Sequence, residues 1–463
     1  MAKKMFGTAG IRGLTNREIT PDMALRIARA FGDRLGNRGR AVVGRDTRYG
    51  AEMLSLAATA GLVSAGFDVS DCGVIPTGGL CTLMTRGKYD GGVLITGSHT
   101  PPDRIGIICL LPDGAYIPDG IAREVEERYE ALDRSRSDVP PEHVGRFAPE
   151  PEPIPRYLAS LVESVDRERI AARRFRVVVD PVNGAASEVF PELLRRLGCE
   201  VHVIHGTPGP VFARPSEPRA PVLGAARAKV LEVGADLGCC TDVDADRVLF
   251  VDEQGRVLSE DLVGALFADH LFGRGGGTCV VPINSSGVIE WLAARSGFTL
   301  VDCPPGQPAT VEVVKRHRAD YAYEESGKYY FCRRALWCDG LFAAARLLEI
   351  LAAAGKPLSA LAAPYPTFHQ VKHTVHCDDA IKEPAMARVF RMMEGELLDG
   401  RRKDVTLDGF KRVFQDDAWL LIRKSGTEPL IRVYSDAMSP ERAQDLVRQG
   451  KDLLGRAMRS ASA

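Results

Sequence analysis

The chain repeats itself, and the repeat constrains its fold more than any other feature. Three times a short Val-rich run ends in a polar or glycine turn and leads into a helical pattern: Ala41–Asp46, Val177–Gly184 and Val280–Gly287. Each copy continues to a second strand opened by glycine, at Gly66–Val69, Gly198–Val203 and Gly297–Val301. A third strand follows at Gly92–Ile95, Ala235–Cys240 and Ala319–Tyr323. Alternating strand and helix signals imply parallel sheets with crossover helices. Val/Ile runs without polar alternation suit strands buried on both faces. In such sheets ligands collect beyond the carboxyl ends of the strands. The loops at those ends of the third strands are Thr96–His99, Thr241–Arg247 and Glu324–Lys328. Three equivalent loops with three different sets of polar groups are expected if three related domains face one shared cleft.

The last hundred residues leave this pattern. His369–His376 alternates as an antiparallel strand would, and a helical pattern covers 381–398. Two strand-like runs, Trp419–Arg423 and Leu430–Tyr434, flank the segment 424–429. A final helix is expected over Pro440–Met458, with Ser439 as N-cap and Pro440 in its first turn. The expected fold class is therefore α/β: three related α/β domains with mixed, mainly parallel sheets, and a C-terminal α+β domain, around a central cleft. The expected boundaries are 1–150, 151–254, 255–365 and 366–463. Pro364 and Pro366 mark the last linker, where a hinge would let the final domain close.

Charge narrows the function classes. Lys+Arg total 60 and Asp+Glu total 61, a net charge of -1, which argues against a coat for nucleic acid or anionic membrane. No apolar run approaches the ~20 residues that span a bilayer, and no signal peptide follows Lys3-Lys4. The 11 cysteines are odd in number, scattered and without a CxxC pair. They read as reduced thiols of a cytoplasmic protein. Nothing in the sequence marks an oligomeric state.

Asp242, Asp244 and Asp246 are the sharpest chemical signal. Carboxylates at alternating positions repel if buried alone, but at a strand end they can converge on one hard divalent cation. An EF-hand is excluded because Arg247 takes the turn position that needs glycine and the flanks read as strands. Ser98 gains weight from its equivalence to the aspartate loop. It lacks the second glycine of a hydrolase elbow, but a serine facing a cation can carry a phosphoryl group. Arg423, Ser425, Gly426, Thr427 and Arg432 place hydroxyls, a flexible backbone and two guanidiniums where they can surround a phosphate. Glu324 and Ser326 suit vicinal sugar hydroxyls. His373 and His376 belong to strand alternation. Gly275–Gly277 is a turn without dinucleotide-fingerprint spacing.

Together these segments resemble the α-D-phosphohexomutases: the phosphoglucomutases, phosphomannomutases and phosphoglucosamine mutases. The resemblance runs through Phe6–Gly13, Thr96–Pro101, Asp242–Arg247, Glu324–Gly327 and Arg423–Pro429, in that order along nearly the whole chain. It implies an isomerase in which Ser98 becomes phosphoserine and, with Asp242, Asp244 and Asp246, holds one Mg²⁺ per active site. The phosphoryl group would move between the 1 and 6 (or 5) positions of a sugar phosphate through a bisphosphate, with sugar bisphosphate as activator. Arg12, Glu324, Ser326 and the 423–432 segment would bind substrate, and His99 and Arg247 would assist catalysis. Phosphoglucosamine and phosphomannose or phosphoglucose substrates come first. A phosphopentomutase, a phosphatase and a non-catalytic sugar-phosphate binder are the alternatives.

Two departures from the family pattern matter. The serine loop usually reads Ala-Ser-His-Asn-Pro and leads to a lysine; here it is Gly97–Pro101, and the lysine position holds Ile108. The sugar loop usually closes on histidine and here closes on Lys328. One basic group is lost and another appears, so Lys328 or His99 is expected to take over part of the work lost at 108.

Overall fold

The computed structural model describes residues 5–7, 9–132, 139–273, 275–396, 399–425 and 428–459. The described chain divides into two compact units, Met1–Glu260 with Glu325–Leu361, and Asp261–Glu324 with Ala362–Ala463. The expected third segment, 255–365, is thus shared between them.

The three copies of the repeat fold alike. In the first, Gly39–Arg45 lies between Phe67–Val74 and Gly91–Ile95, parallel to both. In the second, Arg176–Asp180 lies between Glu200–Val203 and Leu237–Thr241, again parallel to both. In the third, Thr278–Pro282 lies between Thr299–Cys303 and Tyr321–Glu324. Each copy therefore has the spatial order second, first, third. The central runs Val42–Val43, Val177–Val179 and Val280–Val281 are buried, as strands covered by helices on both faces must be.

The mixed character of the sheets comes from strands that return after the third-strand loops. Arg104–Leu110 runs antiparallel to Gly91–Ile95, and Val248–Asp252 runs antiparallel to Leu237–Thr241. Ile11–Leu14 then pairs with Arg104–Leu110 and brings Arg12 into the first sheet. Each serine or aspartate loop is thereby pinned at both ends.

Helices set the loops further. Thr20 caps Pro21–Leu35 through a bond from Met23 N, and Gly36 ends it at φ 102°. That helix packs on Ala51–Ser64 over the first sheet. Two other helices begin on the aspartate loop itself. Thr77 N, at the start of Thr77–Gly87, donates to the Asp244 carbonyl at 2.9 Å. Gly340 N, at the start of Gly340–Ala354, donates to the Ala245 carbonyl at 3.0 Å.

In the second unit a five-stranded antiparallel sheet carries His369–His376, Leu430–Ala437, Trp419–Lys424, Phe410–Phe414 and Arg401–Val405, in that order. Ser439 caps Pro440–Arg459 as expected, accepting from Arg442 N at 3.2 Å. The proline linker does not isolate this sheet. Asp436 accepts bonds from Ser286 Oγ at 2.8 Å and Gly287 N at 2.7 Å, at the start of helix Gly287–Ser296. Glu290 on the same helix faces Lys411, Arg402 and Lys403. Ile283 packs with the fully buried Trp419. These contacts join the sheet to residues 261–324 across the expected linker.

All eleven cysteines are free thiols and ten are buried. No helix among the described residues is long and apolar enough to cross a membrane.

Candidate active site

Within the first unit, the loops at the ends of two repeat-equivalent strands meet. Ser98 follows Gly91–Ile95, and Asp242–Arg247 follows Leu237–Thr241. Ser98 Oγ donates to Asp242 Oδ2 at 3.0 Å. Both loops reverse sharply through a non-glycine residue at positive φ, Ser98 at 48° and Ala245 at 54°; Ser326, in the third equivalent loop, stands at 73°. This left-handed region is sparsely populated by such residues and marks imposed geometry.

Asp242, Asp244 and Asp246 are buried, and one oxygen from each lies within 4.8 Å of the others. Thr77 Oγ1 and Thr96 Oγ1 approach Asp244 Oδ2 at 3.2 and 3.0 Å. Asp244 Oδ1 and Asp246 Oδ1 accept no hydrogen bond from the described residues. Burial and the neighbouring Asp244 and Asp246 push the Asp242 carboxyl well above the usual range. Burial, with Asp246 and Asp46, raises Asp244 to about 6. Burial acts the same way on Asp246, but Lys328 and Arg247 outweigh it and hold that carboxyl low. Three buried carboxylates with lone pairs to spare match a hard cation's oxygen ligands.

The basic groups surround the triad. Lys328 Nζ donates to Asp246 Oδ2 at 2.7 Å. Arg247 Nε lies 3.6 Å from Asp242 Oδ2 and 3.7 Å from Asp246 Oδ1. Its Nη1 donates to Glu217 Oε1 at 2.5 Å and its Nη2 to His99 Nδ1 at 2.9 Å. Burial, then Arg247 and Arg12, lower His99 to about 3. The ring is thus neutral, accepts through Nδ1 and carries its proton on Nε2. Arg12 lies in the same field, lowered by burial and by Arg247 and raised by Asp244 and Asp246. Ser326 Oγ donates to Glu217 Oε1 at 3.1 Å. Burial opposes ionisation of Glu217, yet Arg247 and Arg219 bring it down to about 2.

Ile108 is 1% exposed and packs with Leu80, Leu94, Tyr116 and Trp337, so position 108 belongs to the core.

The second unit holds Glu324, which accepts from Gly306 N at 3.1 Å. It also holds the 423–432 hairpin, where Arg423 and Arg432 sit opposite each other on adjacent strands. Arg423 pairs with Asp408 at 2.7 Å and Arg432 with Glu428 at 3.1 Å. Ser425 Oγ accepts from Glu428 N at 3.2 Å. Gly426 and Thr427 lie outside the described residues.

Four segments of the chain match domain models of phosphoglucomutase/phosphomannomutase: alpha/beta/alpha domains I, II and III over 3–136, 155–255 and 259–368, and the C-terminal domain over 378–452. The chain belongs to the phosphoglucomutase/phosphomannomutase family. It is accordingly a phosphosugar mutase, an isomerase. A phosphoglucomutase/phosphomannomutase of Thermococcus kodakarensis is 38% identical over 98% of this chain and 99% of its own length. A probable phosphoglucosamine mutase of Methanococcoides burtonii is 35% identical over 94% of this chain and 95% of its own. A family protein of Burkholderia thailandensis, solved by crystallography, superposes with a TM-score of 0.86 at 25% identity, covering all of this chain and 98% of that one.

Several groups around this mutase's loops carry no motif of their own. Glu217 and Ser216 come from an irregular stretch whose only signal is a polar pair between Pro215 and Pro218. Lys382 Nζ donates to the Ser425 and Glu428 carbonyls at 3.3 and 2.8 Å and braces the arginine hairpin from a helix. Asp46 and Arg48, just beyond the first strand, hold the serine loop. Asp180 is the second copy's equivalent of Asp46 and could have flagged the pair. It binds Arg214, which in turn donates to the Thr241 carbonyl before the aspartate loop.

Proposed function

We propose that this mutase carries the phosphoryl group on Ser98 and moves it between the 1 and 6 positions of a hexose phosphate. The observation that carries the reading is the Ser98 Oγ–Asp242 Oδ2 contact of 3.0 Å at the edge of a buried carboxylate triad. The triad's orphaned oxygens fit Mg²⁺, which Asp242, Asp244, Asp246 and Ser98 would hold. Bound there, it would offset the charge of the carboxylates and of the phosphoryl oxygens.

A sugar hydroxyl attacks the phosphorus of phosphoserine. The bond from phosphorus to Ser98 Oγ breaks as the bond to the sugar oxygen forms, and the hydroxyl proton ends on Ser98 Oγ, giving a sugar bisphosphate. After the sugar reverses, Ser98 Oγ attacks its other phosphate and is rephosphorylated. Net, the phosphate has changed position and the enzyme is restored, so a trace of sugar bisphosphate is the natural activator. His99, protonated at Nε2, donates to a phosphoryl oxygen while Arg247 fixes its ring. Arg247 and Lys328 supply positive charge that Ile108 cannot. Arg12 is assigned to substrate phosphate, Glu324 and Ser326 to sugar hydroxyls, and Arg423, Ser425, Gly426, Thr427 and Arg432 to the non-transferring phosphate. The likeness to a phosphoglucomutase/phosphomannomutase supports glucose and mannose phosphates as substrates, and the likeness to a probable phosphoglucosamine mutase adds glucosamine phosphate.

The test is a substrate panel followed by phosphorus NMR. Protein, Mg²⁺ and a trace of sugar bisphosphate are incubated with the 1-phosphates of glucose, mannose, glucosamine and ribose. Conversion of a hexose 1-phosphate to its 6-phosphate, lost in Ser98→Ala, is expected. Ribose 1-phosphate as the sole substrate turns the reading to a pentomutase. Release of free phosphate without isomerisation turns it to a phosphatase.

A further inference from the structure

Ser98 sits at φ 48° and is almost wholly buried, so its surroundings must hold it in that conformation. Two donors from distant parts of the chain meet on its carbonyl oxygen. One is Arg48 Nη2; the other is Ser216 Oγ, at 2.9 Å. Arg48 also gathers the rest of the loop. Its Nη1 lies 2.8 Å from the Thr100 carbonyl, 2.6 Å from that of Pro101 and 2.8 Å from that of Arg104. Its Nε donates to Asp46 Oδ2 at 2.9 Å, and neither side chain of that ion pair is exposed. Asp46 Oδ2 in turn takes Thr96 Oγ1 at 2.7 Å and Gly97 N at 3.3 Å.

Every nitrogen of the Arg48 guanidinium is thus engaged by protein. A Cβ on Gly97 would stand 2.8 Å from Arg48 Cζ, so the loop is shaped around the guanidinium. A planar fork can bridge several carbonyls in fixed directions, and an ammonium cannot.

We propose that Arg48 is a positioning residue for phosphoryl transfer: with Ser216 it fixes the Ser98 backbone so that Oγ is aimed at the aspartate triad. The inference rests on Ser98 being the phosphoryl carrier. A sub-ångström drift of a reacting atom lowers the rate of the chemical step while leaving substrate binding intact.

The test uses full-length Arg48→Lys and Ser216→Ala, with turnover measured per folded molecule after circular-dichroism unfolding. Expected is a kcat lower by about tenfold to a hundredfold in Arg48→Lys and about threefold to tenfold in Ser216→Ala, with KM for the sugar phosphate within about twofold of wild type. The phosphorus resonance of phosphorylated Ser98 should broaden in both. Wild-type kcat in the folded variants, or a raised KM at unchanged kcat, overturns the proposal. If Arg48→Lys does not fold, Ser216→Ala decides alone, because it removes a single hydroxyl. A wild-type protein that isomerises sugar phosphates with no phosphate on Ser98 by mass spectrometry defeats the carrier reading itself, an outcome visible before any variant is made.

Discussion

Lys328 Nζ lies 2.7 Å from Asp246 Oδ2, so a cation already shares one carboxylate of the triad. Position 108, where the family pattern has a lysine, is buried among apolar side chains. Removing Lys328 takes positive charge from beside Asp246 and leaves the triad more negative. Lys328→Met is expected to lower kcat by about tenfold or more and to tighten divalent-cation binding by about threefold to tenfold. Mn²⁺ titration by electron paramagnetic resonance reads the second effect independently of turnover. Full turnover with normal substrate affinity would end the assignment for Lys328.

The triad is electrostatically unfavourable without a cation, since burial and mutual repulsion both oppose ionisation of Asp242 and Asp244. Mg²⁺ at a hundred times its dissociation constant is expected to stabilise the protein by about 2.7 kcal/mol, seen as a higher unfolding midpoint. Asp242→Asn should erase that response and, in chelator, unfold at a higher temperature than chelated wild type. A chelated variant less stable than chelated wild type would show that the repulsion is already relieved.

Gly97→Ala restores the residue more usual in the family's serine loop, yet here it is expected to be harmful. The new Cβ would lie 2.6 Å from the Arg104 carbonyl oxygen and 2.8 Å from Arg48 Cζ. Overpacking of this kind costs about 1–3 kcal/mol. Urea unfolding together with kcat measures both consequences, and a variant as stable and active as wild type would refute the steric argument.

Acid sensitivity is expected where residues 261–324 meet the C-terminal sheet. Burial opposes ionisation of Glu290, but Lys411, Lys403 and Arg402 hold its carboxyl below the ordinary value. Because the folded value lies below the unfolded one, the stabilisation is complete above the unfolded value. It fades as pH falls through the lower, folded one. Glu290→Gln should therefore destabilise the protein near neutrality, by about 3–5 kcal/mol for a broken buried pair, and flatten its acid limb. Denaturant midpoints from pH 7 down to pH 3 test this; parallel curves for variant and wild type would contradict it.

Much of this was legible before the structure. Three recurring Val-rich runs marked which segments are central strands, because strands buried on both faces tolerate little else. The ends of those strands then located Ser98 and the three aspartates. The returning strands Arg104–Leu110 and Val248–Asp252 were missed, because each follows a functional loop closely and reads as its continuation. That is why Ile108 was weighed as a lost catalytic position and not as a core residue. Ser216 and Glu217 were missed for another reason. Their bonds link irregular segments far apart in sequence, and such contacts leave no periodicity to read. The Asp436 bonds to Ser286 and Gly287 span the proline linker, and composition alone shows no such contact.

Asp436 also bears on how this chain can be divided. A cut at Pro364 would strip helix Gly287–Ser296 of the carboxylate at its first turn, leave Glu290 facing no cation from Lys411, and uncover Ile283 where Trp419 had lain. Neither fragment would inherit a finished surface. The C-terminal sheet is thus no interchangeable module: swapping it between relatives requires carrying Ser286, Gly287 and Glu290 along with it, as one heritable piece.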